Sequence, residues 1–124
     1  MREHYPQAKV AIAGFCMGGT IAVYRTMARS ETYSAAAVWY GSLTAIDPAK
    51  VDVPVVASYG EDDKGIPLED VEKFRTGISV PHDIKVYANA EHAFFDQEGA
   101  AYNEAAAEDS WQRHVTFLSK YLSP

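Results

Sequence analysis

Six consecutive residues, Gly14-Phe15-Cys16-Met17-Gly18-Gly19, constrain this chain more than any others. They close an apolar run, Lys9 to Phe15 (KVAIAGF), with the length and composition of a buried strand. They open Gly18 to Arg29, where Ile21, Ala22, Tyr24, Arg25 and Ala28 carry a helical spacing. A strand that becomes a helix through a glycine corner lifts the apex residue off the sheet. The glycines permit the strained turn and let helix lie close on strand. Such a corner belongs to a parallel sheet flanked by helices.

The remaining segments fit that frame. Ala35 to Tyr40 (AAAVWY) reads as a second strand, closed by Gly41. Thr44 to Val51 is loop, turned at Asp47-Pro48. Val53 to Tyr59 (VPVVASY) is a third strand, with Pro54 tolerable near its start. Gly60 to Pro67 is a polar loop. Leu68 to Thr76 is a short helix with acids early (Glu69, Asp70) and bases late (Lys73, Arg75), as the helix dipole prefers. Asp83 to Tyr87 is a fourth strand, and Ala88 to Gly99 a loop. Ala100 to Tyr121 is a long Ala-rich helix, with Tyr102, Ala106, Trp111, Val115, Leu118 and Leu122 expected to face the sheet. The fold class is therefore α/β, about four parallel strands flanked by helices. All connections are long enough for parallel crossovers.

Composition narrows the function. With 124 residues the chain is expected to form one domain, spanning positions 1–124. A net charge of −6, with 11 basic residues scattered rather than clustered, argues against nucleic acid as a partner. No run of apolar residues is long enough for a membrane span. Met1 to Pro6 has neither the apolar core nor the cleavage site of a signal peptide. The lone cysteine excludes an internal disulfide and a Cys-rich zinc site, and fits a reducing compartment, the cytoplasm.

Cys16 at the corner reads either as a buried packing thiol or as a nucleophile. The glycine spacing in strand–turn–helix context favours the nucleophile. The backbone N–H of Met17 would then face an oxyanion, and the helix N-terminus would favour thiolate. A nucleophile needs a base, and the base an orienting acid. Of four histidines, His4, His82 and His114 take surface or helix-packing readings. His92, in Ala90-Glu91-His92-Ala93-Phe94-Phe95, follows the fourth strand, at the sheet edge where Cys16 also falls. Glu61, Asp62 and Asp63, after the third strand, supply three candidate acids at the same edge. The order nucleophile, acid, histidine is that of α/β-hydrolases.

Together these residues resemble the dienelactone hydrolase family over essentially the whole chain. The GFCMGG corner resembles its cysteine elbow, and Val38-Trp39-Tyr40-Gly41 its next strand end. Asp63-Lys64-Gly65-Ile66-Pro67 is similar to its acid loop, Glu91-His92-Ala93-Phe94-Phe95 to its histidine loop, and Tyr102 through Arg113 to its last helix. The resemblance implies a truncated α/β-hydrolase with a catalytic set of Cys16, Asp63 and His92, and Met17 as oxyanion donor. It implies cleavage of a small ester or lactone through a thioester, with no metal or organic cofactor. It departs from the family at Asp96, four residues after His92, where the family carries Arg; an acid there repels anionic substrate. Family members also have a comparable length upstream of the elbow. Without it, the apolar edge Val10 to Phe15 is expected to pair with another copy, giving a homo-oligomer. A non-catalytic, vestigial fragment acting as an oligomeric scaffold is the alternative. A glutamine-amidotransferase-like elbow is disfavoured by the aspartate loop and the long last helix.

Overall fold

The two inner strands set the layout. β2 (Ala35–Trp39) and β3 (Val55–Gly60) are buried at every position, as strands covered on both faces must be. The computed structural model describes residues 9–28 and 32–123. It places these strands inside a four-stranded parallel sheet ordered β1-β2-β3-β4, with β1 at Ala11–Phe15 and β4 at His82–Tyr87. Helix α1 (Met17–Ala28) joins β1 to β2, α2 (Leu68–Gly77) joins β3 to β4, and α3 (Glu104–Leu122) follows β4. A short 3-10 turn, Pro48–Lys50, lies between β2 and β3, capped by the Asp47 carboxylate, which accepts the Ala49 N–H. Every expected element is present, with ends displaced by a few residues. His4 and the expected helix end at Arg29 lie outside the described residues.

Adjacent residues of β2 show how the layers divide. Gly19 of α1 lies so close to Val38 that an added Cβ would sit 3.0 Å from its Cγ1. The next residue, Trp39, donates its indole N–H to Ser110 of α3 at 3.0 Å. Successive strand residues point to opposite faces, so α1 and α3 cover opposite sides of the sheet. The core between them includes Val38, Val55, Val56, Tyr59, Phe74 and Phe94, each at most 2% exposed. Burial of each such side chain contributes roughly 1.5–3 kcal/mol.

Two expectations for the last helix are corrected. It begins at Glu104 rather than Ala100, because Asn103 caps it: the side-chain oxygen accepts the Ala106 N–H at 3.1 Å. Its buried stripe is Ala106, Ala107, Ser110 and His114. Trp111 and Val115, expected to face the sheet, are 51% and 40% exposed. The stripe's two polar members are held by the sheet: Ser110 accepts from Trp39 of β2, and His114 Nε2 shares a hydrogen bond with Ser58 of β3. Among the described residues, β1 pairs with β2 alone, and its Ala13 and Phe15 are exposed. No described helix is long and apolar enough to cross a membrane.

Candidate active site

Cys16 stands at the corner between β1 and α1 with φ of 53°, a left-handed conformation rare for a residue with a side chain. The corner is tied at both sides. The Cys16 N–H donates to the Trp39 carbonyl at 3.0 Å, and the Cys16 carbonyl accepts the N–H groups of Gly19 and Thr20. None of the described glycines has a positive φ, so the strain falls on the cysteine itself. Gly14 and Gly19 act instead by absence of bulk. A Cβ on Gly14 would lie 2.2 Å from the Gly18 carbonyl oxygen, and one on Gly41 would collide with the backbone of Gly19 and Thr20. Gly18 differs: a Cβ there would meet nothing within 4 Å. Met17 is the first residue of α1, so its N–H has no partner within the helix.

The acid and the histidine come from the loops after β3 and β4, and the backbone stitches these loops together. The Glu61 N–H donates to the Tyr87 carbonyl at 2.9 Å, and the Asp62 N–H to the Ala90 carbonyl at 2.8 Å. Gly60 makes that approach possible, because a Cβ there would lie 2.3 Å from the Ala90 oxygen. The result carries Asp63 to His92. The His92 Nδ1–H donates to Asp63 Oδ2 at 2.6 Å, while Asp63 Oδ1 accepts the Gly65 N–H at 2.8 Å. Both carboxylate oxygens are thus used, and the side chain is 1% exposed. Asp62 is exposed and contributes its backbone only. With Nδ1 held by a carboxylate, Nε2 of the half-exposed His92 is left as the basic nitrogen.

Cys16 stands at the same edge of the sheet, close enough for the Asp63 carboxylate to act on its thiol. Among the described residues no bond joins its thiol to His92. Burial, then the carboxylates of Asp63 and Asp96, raise the thiol pKa above its ordinary value. The direction is opposite to the one the helix N-terminus alone would favour, because desolvation and two nearby anions disfavour the thiolate.

Tyr40 was read only as the end of a strand, yet it belongs to the site. It follows β2 with φ of 42°, and its ring centroid lies 5.0 Å from that of His92. Burial, then the field of Cys16, pushes its hydroxyl to about 12, against a hydrogen bond from the Phe95 backbone. The sequence signal was position: Tyr40 ends a parallel strand at its carboxyl edge, as Cys16 does.

His82 is exposed at the opposite end of the sheet, with Nδ1 on the Val80 carbonyl. His114 is buried under Trp39, whose ring centroid is 3.7 Å away. Arg113 donates to Ser58 Oγ at 2.7 Å, and Ser58 Oγ shares a second hydrogen bond with His114 Nε2, also at 2.7 Å. Among the described residues, His114 Nδ1 has no hydrogen-bond partner. Burial, then Arg113, lowers its pKa to about 3. Among the described residues, no three of His, Cys, Asp or Glu are grouped to hold a metal ion.

The profile of the dienelactone hydrolase family matches residues 1–122. A Salmonella typhimurium protein named "Putative carboxymethylenebutenolidase" is 35% identical over 91% of this chain and 47% of its own length. Its Escherichia coli K12 counterpart is 34% identical, with 46% of its length covered. The crystal structure of a "Putative Dienelactone Hydrolase" from Klebsiella pneumoniae superposes with a TM-score of 0.82 at 31% identity, over 90% of this chain and 52% of that one. The chain thus spans about half the length of the curated relatives it matches.

Proposed function

Because this chain belongs to the dienelactone hydrolase family, we propose that it supplies the nucleophile, base and acid of an ester or lactone hydrolase. The observation that carries this reading is the 2.6 Å bond from His92 to a buried Asp63, at the sheet edge where Cys16 holds a positive φ. A strained nucleophile corner and an oriented histidine are the two parts that acyl transfer needs from a protein. The relatives' names, carboxymethylenebutenolidase and dienelactone hydrolase, agree with that chemistry.

In the proposed reaction the thiol begins neutral, consistent with its raised pKa. The Cys16 proton passes to His92 Nε2 as sulfur bonds to the acyl carbon. Asp63 holds the imidazole by Nδ1 and stabilises the imidazolium. The Met17 N–H donates to the oxyanion. The carbon–oxygen bond then breaks, and the leaving alkoxide takes the proton from His92. Water, deprotonated by His92, cleaves the thioester and returns the thiol. The test is mass spectrometry of the chain quenched during p-nitrophenyl acetate hydrolysis. An acetyl group on Cys16, absent in Cys16→Ala and turned over in the parent, is expected. Hydrolysis at equal rates in the parent, Cys16→Ala and His92→Ala would leave the reading without support.

We also propose that a second copy pairs with the outer edge of β1. The inward bond of Cys16 to Trp39 means that Ala11, Ala13 and Phe15 turn their backbone groups outward. Those residues carry no charge to discourage pairing, and two identical edges are self-complementary about a two-fold axis. Light scattering at micromolar concentration tests this, and a well-behaved monomer would overturn it.

A further inference from the structure

The loop that presents His92 also presents a carboxylate. Ala93 has φ of 64°, and the Asp96 N–H donates back to the Ala93 carbonyl at 3.1 Å, closing a turn. Phe95 fixes where that turn lies. Its ring centroid is 5.2 Å from that of Phe15, the residue before Cys16, and its backbone bonds the Tyr40 hydroxyl. Asp96 is therefore anchored beside the nucleophile. Its Oδ1 accepts the Glu98 N–H at 3.0 Å, which holds the carboxylate in place. The field of that carboxylate reaches both the Cys16 thiol and the Tyr40 hydroxyl.

Asp63 and Asp96 are unlike in what they can do to an arriving molecule. Asp63 is buried and bonded to His92, which balances its charge once the imidazole is protonated. Asp96 is exposed, and among the described residues no Lys or Arg pairs with it. Its neighbours on the same rim, Glu61, Asp62, Glu91 and Glu98, are also exposed acids, with Lys64 as the cation in those loops. The cations Lys85 and Arg113 are already bonded to Asp109 and Asp83. Among the described residues, this rim presents more negative than positive charge to an approaching substrate.

We propose that Asp96 sets the charge selectivity of the Cys16 site, admitting uncharged or cationic acyl groups and disfavouring anionic ones. This deepens the hydrolase reading and, as a statement about substrates, rests on it. Two unit charges several ångströms apart at a protein surface interact enough to change a rate by ~3–10-fold. Asp96 is here a specificity residue, and no bond to it is made or broken.

The test uses two thiosulfonate reagents of opposite charge, one bearing a trimethylammonium and one a sulfonate. Each forms a disulfide with the Cys16 thiolate and releases methanesulfinate, so the ratio of their rates cancels any change in thiolate fraction. The parent is expected to react faster with the cationic reagent. Asp96→Asn keeps the acceptor oxygen of the turn, and is expected to lower the cation-to-anion ratio by ~3–10-fold. Asp96→Arg is expected to invert the ratio, and Asp52→Asn, an exposed acid before β3 at the opposite end of the sheet, to leave it unchanged. A ratio in Asp96→Asn equal to that of the parent overturns the proposal. The same variants assayed on p-nitrophenyl butyrate and on anionic p-nitrophenyl hemisuccinate separate the two readings. A shifted reagent ratio without ester turnover would remove the hydrolase and keep the charge filter. Ester turnover with no shift in either pair would do the reverse.

Discussion

His92 and His114 each make one short side-chain hydrogen bond, 2.6 Å to Asp63 and 2.7 Å to Ser58. The bonds have almost the same length and opposite meanings. His92 stands half exposed at the carboxyl edge, bonded through Nδ1 to the buried Asp63 carboxylate. His114 lies buried between α3 and the sheet, with Arg113 beside it, and both burial and that cation favour its neutral form. One histidine faces a carboxylate at the open edge of the sheet, and the other is packed away beside a cation. Partner charge and burial, more than bond geometry, separate a histidine that can do chemistry from one that packs.

The contrast is broken most directly at the reaction itself. Cys16→Ala and His92→Ala are expected to remove p-nitrophenyl acetate hydrolysis attributable to the site, by ~10³-fold or more. His114→Phe is expected to retain turnover, measured at a temperature where the variant stays folded. Loss of turnover in His114→Phe with retention in His92→Ala would exchange the roles of the two histidines. Next in size is Asp63→Asn. An amide facing Nδ1 can donate to it and so stabilise the wrong tautomer, with an expected loss of ~10²–10⁴ in kcat and little change in fold. The raised thiol pKa adds a pH signature. Alkylation of Cys16 by iodoacetamide should rise with pH to a plateau above that of a free cysteine, because the thiolate is the reacting form.

His114 is expected to act on stability. Its pKa is about 3 in the fold against an ordinary value of 6.5. The folded state therefore prefers the neutral ring. The stabilisation is complete above pH 6.5 and is lost as pH falls from 6.5 towards 3, because the unfolded chain takes up the proton first. Between pH 7 and pH 4.5 this amounts to roughly 2–3 kcal/mol. Urea midpoints of the parent and His114→Phe at those two pH values check it. The parent should lose more stability than the variant over the interval; equal losses would place the acid sensitivity elsewhere.

The sequence made the elbow legible because several constraints coincide there: a strand period, a helix period and glycines where only backbone fits. Gly14 and Gly19 confirm that steric logic, and Gly18 does not need it within this chain. The positions of Asp63 and His92 were legible as loops after parallel strands. Other features depended on distance in three dimensions. Ser110 and His114 look like the solvent side of a helix until Trp39 and Ser58 are placed opposite them. The thiol pKa depends on Asp63 and Asp96, 47 and 80 positions along the chain, so a local dipole argument predicted the wrong direction. Gly60 gave no local signal, because the backbone it must admit belongs to Ala90.

The smallest expected effect is also the sharpest discrimination within the site. Asp62 and Asp63 are neighbours in one loop, and residue type alone leaves either as the acid. Their side chains diverge because the Asp62 N–H is spent on the Ala90 carbonyl, leaving its carboxylate exposed, while Asp63 turns inward to His92 and the Gly65 N–H. Asp62→Asn removes a solvated charge and no side-chain hydrogen bond present among the described residues. Its stability should change by less than about 0.5 kcal/mol, and its hydrolysis rate by less than about twofold, the residue of a screened surface charge. A loss in Asp62→Asn as large as that in Asp63→Asn would mean that the acid loop rearranges when substrate binds. The 2.6 Å bond would then describe the resting site alone.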